Sequence, residues 1–197
     1  MVRRPPKKDA RTFSQMRWGL IPSWAKDASI AAHTINAMGE TVAEKPAFKE
    51  ALRQRRCLIP AEGFYEWQRH VAGRKQPFNI GLADGSLFAF AGWWDSWLNP
   101  ATGASLETCT VITTTPNALV SEVHDRMPVI LRPEDYDLWL DREIRNPARV
   151  LPLLAPFDSG AMRKYPVSQF VNRVENEGPE CAREVAVEAA QQRLFGG

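Results

Sequence analysis

The stretch EGFYEW places a carboxylate, Glu66, between Tyr65 and Trp67 in an apolar run that predicts a β-strand. Because successive strand residues face opposite sides, Glu66 shares a face with Phe64 and Gln68. An ionised carboxylate among aromatic side chains is costly unless it is paired. Two interpretations are open. Glu66 lies in solvent on an edge strand, or it faces an enclosed cleft in which a raised pKa suits proton transfer.

The stretch EVHDRMPVIL carries a second group of candidates. His124, Asp125 and Arg126 stand together directly before an apolar strand. A histidine can act as acid or base near neutral pH, and an arginine can bind an anion through parallel N–H donors. The alternative is a histidine at a helix C-terminus, flanked by surface charges.

Asn36 and Cys57 give weaker signals. Asn36, between apolar residues in INAMGET, could hydrogen-bond a turn or orient a substrate. Cys57, in RRCLIP, could be a nucleophile if it met His124, but a free cysteine in a strand is more often a small buried apolar residue.

A third group could contact a single nucleic-acid strand. RWGLIPSW carries Arg17, Trp18 and Trp24, and the run TTT begins at Thr113. Cations, hydroxyls and aromatic rings of this kind can bind phosphates and stack on bases. The alternative is a set of core tryptophans beside an edge strand.

Composition restricts the class of protein. The chain has 197 residues, 44% of them hydrophobic, and a formal net charge of +2, which predicts one sizeable core and does not by itself indicate a nucleic-acid binder. Its three cysteines and three histidines are scattered, so we expect a reducing cytoplasm and no metal site. No apolar run reaches the roughly 18 residues of a membrane span, and we expect no signal peptide.

Short strands and helices alternate without βαβ regularity, which predicts an α+β fold with a mostly antiparallel, barrel-like sheet and flanking helices. KPAFKEALRQRR predicts a helix over residues 45–56, and ADGS at 83–86 predicts a hairpin into LFAFAGWW. Further strands are predicted at CLIP, FYEWQ, PFNIGL, TCTVITTT and YPVSQFV, and short helices at NALVSEV and PEDYDLWLD. We expect residues 1–13 to be a disordered or remnant segment, 14–180 a single domain and 181–197 a helical tail.

Several stretches resemble one known family in the same order: MRWGLIPSWAKD, KPAFKEAL, RRCLIPAEGFYEW, FAFAGWWD, VITTTPN and VHDRMPVIL. The chain is similar to the SRAP family, the SOS response-associated peptidases, which are interpreted as abasic-site processing proteins. The resemblance covers residues 14–180, and long motifs in a fixed order are more specific than any one motif. It implies a single SRAP-like domain.

The resemblance implies binding to single-stranded DNA that contains abasic sites. In the family, the α-amine of an N-terminal cysteine attacks the ring-opened sugar aldehyde to form a Schiff base, and the thiol then closes a thiazolidine crosslink. The motifs carry three catalytic positions over to this chain. Glu66 would move protons, His124 would protonate the sugar ring oxygen, and Asn36 would hydrogen-bond the sugar or the N-terminal residue.

The same resemblance implies a DNA-binding surface. Arg17, Thr113 and Arg126 would hold phosphates, and Trp18 would stack on a base. No metal and no organic cofactor are implied. We expect a monomer in the cytoplasm, associated with the nucleoid when bound to DNA, and no membrane partner.

The sequence departs from the family pattern in two places. The family begins Met-Cys-Gly-Arg and continues for several dozen residues before RWGLIP, whereas this chain begins Met-Val-Arg-Arg. Either the natural start lies upstream, or the chain is a truncated or degenerate paralogue. In addition, Met38 stands where the family has a phosphate-binding arginine.

Two other functions stay open. The family name suggests a cysteine-type or self-cleaving peptidase, for which a thiol reagent on Cys57 should inhibit. A non-catalytic single-strand-binding module should instead bind without a preference for abasic sites, with a steep salt dependence and no effect of substituting Glu66.

The 197-residue polypeptide is expected to form no stable thiazolidine with abasic single-stranded DNA, because none of its cysteines carries a free α-amine. Val2, if exposed by removal of Met1, would give only an uncyclised Schiff base. Denaturing electrophoresis after heating checks this expectation. A covalent adduct that survives heat and denaturant would contradict it.

Overall fold

The computed structural model describes residues 1–5, 10–42, 51–69 and 75–186. These residues form twelve strands, numbered β1 to β12 in chain order: Val2–Arg3, Thr12–Phe13, Arg17–Trp18, Asn36–Met38, Arg56–Ala61, Phe64–Arg69, Lys75–Leu82, Phe88–Leu98, Ser105–Thr114, Met127–Pro128, Ile130–Leu131 and Met162–Pro166. Residues 51–54 are helical, and α-helices span Ala118–Ser121 and Tyr136–Leu140. Short 3₁₀ helices span Ser29–His33, Pro133–Asp135, Pro147–Arg149, Leu151–Leu153, Ser159–Ala161, Gln169–Asn172 and Pro179–Ala182.

The strands form two sheets. The larger runs β10–β9–β8–β5–β1–β2, with β3 and β4 also paired to β9 and β11 paired to β8; the smaller runs β12–β7–β6. Only β3 and β4, which run parallel to β9, break the antiparallel pattern of the described strands. The α+β, mostly antiparallel architecture is therefore confirmed, but the sheet does not close into a barrel over the residues described.

The larger sheet buries both of its faces. In β5, Leu58 packs in one apolar cluster with Trp93 and Trp139, whereas Cys57 and Ile59 pack in a second cluster that includes residues of the smaller sheet. This division follows from the alternation of side chains along a strand. The larger sheet is consequently the middle layer between the helical segments that carry Leu52 and Trp139 on one side and the smaller sheet with helix Ala118–Ser121 on the other.

The ladder between β8 and β9 opens at one end. Gly92 and Val111 form its last pair, and beyond them residues 127–131 enter between the strands, with β10 on β9 and β11 on β8. Val129 continues the hydrogen bonding by donating its N–H to the Ile112 carbonyl at 2.8 Å. The apolar part of VHDRMPVIL is thereby buried, and its polar part lies immediately before the insertion.

The hairpin predicted at ADGS is wrong. β7 pairs with β6 and β12, whereas β8 pairs with β5, β9 and β11, so the strands on either side of the turn belong to different sheets. Gly85 does turn the chain, with φ of 74°. A turn sequence fixes the local reversal, but long-range packing decides where the next strand pairs.

Two other predicted elements have different bounds in the structure, and a third lies mostly outside the described residues. The helix expected over 45–56 ends at residue 54, because Arg56 already begins β5, and residues 43–50 lie outside the described residues. The last strand is Met162–Pro166 rather than 165–171, and Gln169–Asn172 is a 3₁₀ helix. Most of the predicted C-terminal tail, 187–197, lies outside the described residues.

The N-terminal residues take part in the sheet. β1 pairs with β2, and Val2 also pairs with Leu58 of β5. Arg4 and Arg11 both donate to the Asp137 carboxylate, at 2.7 and 2.8 Å. Backbone pairing and these ion pairs thus attach the described part of residues 1–13 to the core.

Arg56 joins two helical segments to the start of β5. Its side chain is almost fully buried, and it donates to the carbonyls of Trp139 (2.6 Å), Leu52 (2.7 Å), Ile144 (3.1 Å), Arg53 (3.1 Å) and Asp141. Burial lowers the pKa of Arg56 to about 10, so the guanidinium is still charged at neutral pH. Carbonyls at helix C-terminal ends lack intrahelical partners and favour a nearby cation.

Substituting Arg56→Met should lower the free energy of unfolding by about 3–5 kcal/mol, since several buried carbonyls would lose their donor. Arg56→Lys should recover only part of this loss, because an ammonium cannot reproduce the planar fork. Urea unfolding measures both variants. Arg163→Met, at an exposed arginine, is the control; an equal loss in that variant would contradict the role given to Arg56.

Candidate functional site

Strand β6 presents its two faces as the alternation predicted. Phe64 packs edge-to-face with Phe90 in the core between the sheets, and Gln68 donates to the Glu122 carbonyl at 2.7 Å. On the opposite face, the Trp67 indole donates to Asn172 at 2.7 Å. β6 is an edge strand of the smaller sheet, but Glu66 lies between Phe64 and Gln68 on its inward face rather than in solvent.

The Glu66 carboxylate is largely removed from water. Its side chain is 22% exposed, and Oε2 lies 3.9 Å from Nε2 of His124. Burial raises the pKa of Glu66, and the neighbouring Asp125 adds to this effect, while the charge of His124 and the Trp67 backbone oppose it. A carboxyl group in this setting can be protonated at a higher pH than an exposed glutamate.

His124 follows the short helix Ala118–Ser121. The Asn117 side chain caps this helix by accepting from Val120 N–H at 2.9 Å, and His124 N–H donates to the Val120 carbonyl at 2.9 Å. Lys164 also donates to the Leu119 carbonyl at 2.9 Å, which attaches the helix to β12. These contacts fix the backbone from which the imidazole extends.

The imidazole of His124 has different partners at its two nitrogens. Nδ1 lies 3.1 Å from Arg126 N–H, 3.2 Å from the Arg126 carbonyl and 3.3 Å from the Asp125 carboxylate, while Nε2 faces Glu66. When Nδ1 accepts the Arg126 N–H, the neutral ring carries its proton on Nε2, on the side of the carboxylate. A histidine and a carboxyl group so arranged can exchange a proton with each other or with a group placed between them.

Arg126 binds a carboxylate that the sequence prediction did not assign. Its terminal nitrogens donate to both oxygens of Glu40, at 3.0 and 2.8 Å, and Nη2 also donates to the carbonyl (2.8 Å) and hydroxyl (3.2 Å) of Thr113. The Arg126 guanidinium keeps the pKa of Glu40 below its usual range. The predicted phosphate-binding residues Arg126 and Thr113 are therefore in contact, but the charge of Arg126 is compensated.

Asn36, Arg17 and Trp18 lie along one edge of β9. Arg17 and Trp18 pair with Thr108 and Cys109, and Asn36 pairs with Val111. All three predicted residues are exposed. The sheet thus aligns Arg17, Trp18 and Asn36 beside the strand that carries Thr113.

Trp18 is held with its ring in solvent. The side chain is 57% exposed, and its indole N–H donates to the Ile35 carbonyl at 2.7 Å. Gly19 follows with φ of 107°, and a Cβ there would lie 2.7 Å from the Ala31 carbonyl oxygen. The chain can turn in this way only with glycine at position 19, and the turn leaves the ring available for stacking.

Met38 lies on the same edge as these residues. It pairs with Thr113 and is exposed. The position at which the family pattern has an arginine is thus accessible, but it carries no charge.

Cys57 is not a nucleophile paired with His124. It is fully buried between the two sheets, and burial raises the pKa of its thiol well above the usual range. A buried neutral thiol is inert. The alternative interpretation of Cys57, a small buried apolar residue, is confirmed.

The described residues contain no group of three or more His, Cys, Asp or Glu side chains that could hold a metal ion. No helix in the same part of the chain is long and apolar enough to cross a membrane. A cavity of about 640 Å³ does exist, but it lies on the outer face of the smaller sheet, lined by residues such as Tyr65, Asn79, Arg163 and Tyr165. Glu66 faces away from it, so the cavity is separate from the Glu66–His124 pair.

The family model described as "SOS response associated peptidase (SRAP)" matches residues 1–174. The chain belongs to the SRAP family. The match confirms the resemblance read from the motifs, and it extends to the N-terminal residues that pair into the sheet.

Named relatives agree with this membership. The abasic site processing protein YoqW of Bacillus subtilis is 48% identical over 168 residues, covering 85% of this chain and 75% of YoqW. The abasic site processing protein HMCES of Gallus gallus is 32% identical and covers 99% of this chain and 66% of its own length. A crystal structure of a protein from Bacteroides thetaiotaomicron superposes with a TM-score of 0.80 at 34% identity, covering 87% of this chain and 76% of that one.

Glu40 and Gln68 are the site residues that sequence reasoning missed. Both were visible in quoted motifs, as the acid of INAMGET and the last residue of FYEWQ. Their partners, Arg126 and Glu122, lie 86 and 54 positions away in the chain. A local pattern cannot identify such distant partners.

Glu66→Gln should change how stability depends on pH. Because the folded state raises the pKa of Glu66, deprotonation costs more in the folded chain than in the unfolded chain. The wild type should lose stability relative to Glu66→Gln as pH rises from the ordinary glutamate pKa through the folded value, and the difference should then level off. Urea unfolding between about pH 4 and pH 8 measures this.

The exposed residue Glu62, substituted to Gln, controls for the loss of one negative charge. A stability difference between wild type and Glu66→Gln that stays constant over the whole range would contradict a raised pKa.

Proposed function

We propose that this protein recognises and processes abasic sites in single-stranded DNA, with Glu66 and His124 as its acid/base pair. The observation that carries the proposal is the 3.9 Å approach of His124 Nε2 to a largely buried Glu66 carboxylate. Membership of the SRAP family and the names of the relatives support the same substrate.

The proton transfers required by an abasic site match this pair. The sugar of an abasic site is a cyclic hemiacetal, and an imidazolium at His124 can protonate the ring oxygen as the ring opens to the aldehyde. When an amine then adds to the aldehyde, the resulting hemiaminal must lose water. A carboxyl group with the raised pKa of Glu66 can donate that proton, and its carboxylate can accept one from the attacking amine.

The amine and thiol of a thiazolidine must come from one residue. Cys57, Cys109 and Cys181 lie within the chain, so their α-nitrogens are peptide amides. We therefore assign to the described residues the opening of the sugar and the proton transfers, and assign no covalent role to these cysteines.

The proposed DNA surface follows the β9 edge. Trp18 stacks on a base with its exposed ring, and Arg17 and Arg126 contact phosphates together with the Thr113 hydroxyl. Asn36 hydrogen-bonds the abasic sugar. The exposure of Trp18, Arg17 and Asn36 along one edge supports this assignment.

A binding comparison tests the proposal. The probes are three fluorescent oligonucleotides: a single strand with one central abasic site, the same strand intact, and its duplex. Wild type should bind the abasic strand more tightly than the intact strand and the duplex least tightly. In Glu66→Gln and Asn36→Ala the preference for the abasic strand should fall by about 10-fold, since each loses one polar contact to the sugar.

Affinity for the intact strand should change little in these variants, and Glu62→Gln is the matched control. Equal affinity of the wild type for abasic and intact strands would contradict the proposal. That outcome, together with no effect of Glu66→Gln, would indicate a non-catalytic single-strand-binding module.

A further inference from the structure

Arg126 and Glu40 form a contact that conflicts with phosphate binding by Arg126. A guanidinium offers two edges with parallel N–H donors, and bidentate recognition of an anion uses one of them. The edge between the two terminal nitrogens is occupied by both oxygens of Glu40, at 3.0 and 2.8 Å. On the other edge, Nε is buried, and Nη2 donates to Thr113.

The exposures of the two side chains show which partner meets an incoming anion. Glu40 is 42% exposed and Arg126 22% exposed, so the carboxylate is the more accessible member of the pair. The pair carries no net charge. A phosphate approaching Arg126 would therefore encounter a carboxylate first and would find no free bidentate edge.

We propose that Glu40 occupies the anion site of Arg126 in the DNA-free protein and that a DNA phosphate must displace it. This inference rests on the proposed function, because it takes the displacing anion to be a phosphate of single-stranded DNA. Glu40 then lowers the affinity for DNA by competing with a phosphate for Arg126. Thr113 retains its bonds to Nη2 and keeps the guanidinium in place when the carboxylate leaves.

A DNA phosphate can replace the Glu40 carboxylate at Arg126 because the two anions make equivalent hydrogen bonds. Carboxylate and phosphate oxygens accept the same pair of N–H donors, so the number of charge-assisted bonds is conserved. The released Glu40 carboxylate is exposed enough to regain water, and its attraction to Arg126 in solvent is modest. The competition therefore lowers DNA affinity without preventing binding.

The central experiment is the salt dependence of binding by Glu40→Gln. The amide keeps the shape of the side chain but removes the charge, so a phosphate can bind Arg126 without displacing a carboxylate. The affinity for single-stranded DNA should rise by about threefold or more near 0.1 M salt. In the wild type, the Glu40 carboxylate released by the phosphate attracts a cation, which offsets the cation that the phosphate gives up. Glu40→Gln removes this offset, so the slope of log K against log salt should steepen by about 0.7, the value for one phosphate on a single strand.

Two further variants isolate the effect. Glu40→Gln with Arg126→Gln should lose both the gain in affinity and the steeper slope. Glu107→Gln removes the same charge from a comparable bidentate pair, in which Arg3 donates to Glu107 at 2.7 and 2.9 Å, and should leave the slope unchanged. Thermal melts establish that each variant is folded.

Three outcomes would overturn the proposal. Weaker DNA binding by Glu40→Gln would make Glu40 a residue that positions Arg126. An unchanged slope would mean that DNA phosphates do not displace Glu40 from Arg126. An equal gain in DNA affinity in Glu107→Gln would mean that the gain in Glu40→Gln comes only from the change in net charge.

Inorganic phosphate separates this inference from the proposed function. In protein labelled with 15N-arginine, phosphate should shift the Arg126 Nε–Hε resonance at a concentration at least about threefold lower in Glu40→Gln than in wild type. If the phosphate result is obtained while no variant binds DNA, the anion competition stands and the proposed function fails. If DNA binds but the phosphate response is equal in both proteins, the competition is refuted.

Discussion

The candidate site depends on how the two edges of β9 are shared. One edge pairs with β3 and then β4, and the other with β8 and then β10. Four segments that are distant in the sequence therefore meet along one strand, and each brings its side chains in a register set by backbone hydrogen bonds. Because the register of a strand decides which face every residue occupies, a slip of one residue in β4 would move Asn36 and Met38 from the exposed to the buried side.

Besides strand pairing, the burial of charged side chains shapes the structure, and it has opposite consequences for Arg56 and Glu66. Arg56 is buried as a cation but meets five carbonyl oxygens, so its charge stabilises helix ends that would otherwise lack donors. Glu66 is largely buried on the face of Phe64, and its ionised form is favoured only by the His124 imidazole at 3.9 Å and the Trp67 backbone among the described residues, so it is poorly compensated. The first arrangement gives rigidity, and the second leaves a carboxyl group ready to hold a proton.

Local patterns predicted the features that depend on neighbouring residues. The alternation in FYEWQ placed Glu66 opposite Tyr65 and Trp67, and the order of the motifs identified the family. Features that depend on contacts between residues far apart in the sequence could not be predicted from local patterns. The turn at Gly85 was recognised, but the assignment of β7 and β8 to different sheets depends on packing between layers. The pairing of Glu40 with Arg126 spans 86 positions and likewise exists only in the folded chain.

The charge balance of the proposed DNA surface depends on two residues. Met38 supplies no charge where the family pattern has an arginine, and Glu40 compensates Arg126. Of the cations proposed to contact phosphates, only Arg17 then carries a charge with no carboxylate partner among the described residues. If the proposed surface binds DNA, Arg126 attracts phosphates only weakly in the free protein, and recognition would rely on stacking at Trp18 and on the sugar contacts near Glu66. A surface of this kind favours discrimination of the abasic site over tight binding to any strand, because contacts to the sugar carry information that phosphate contacts lack.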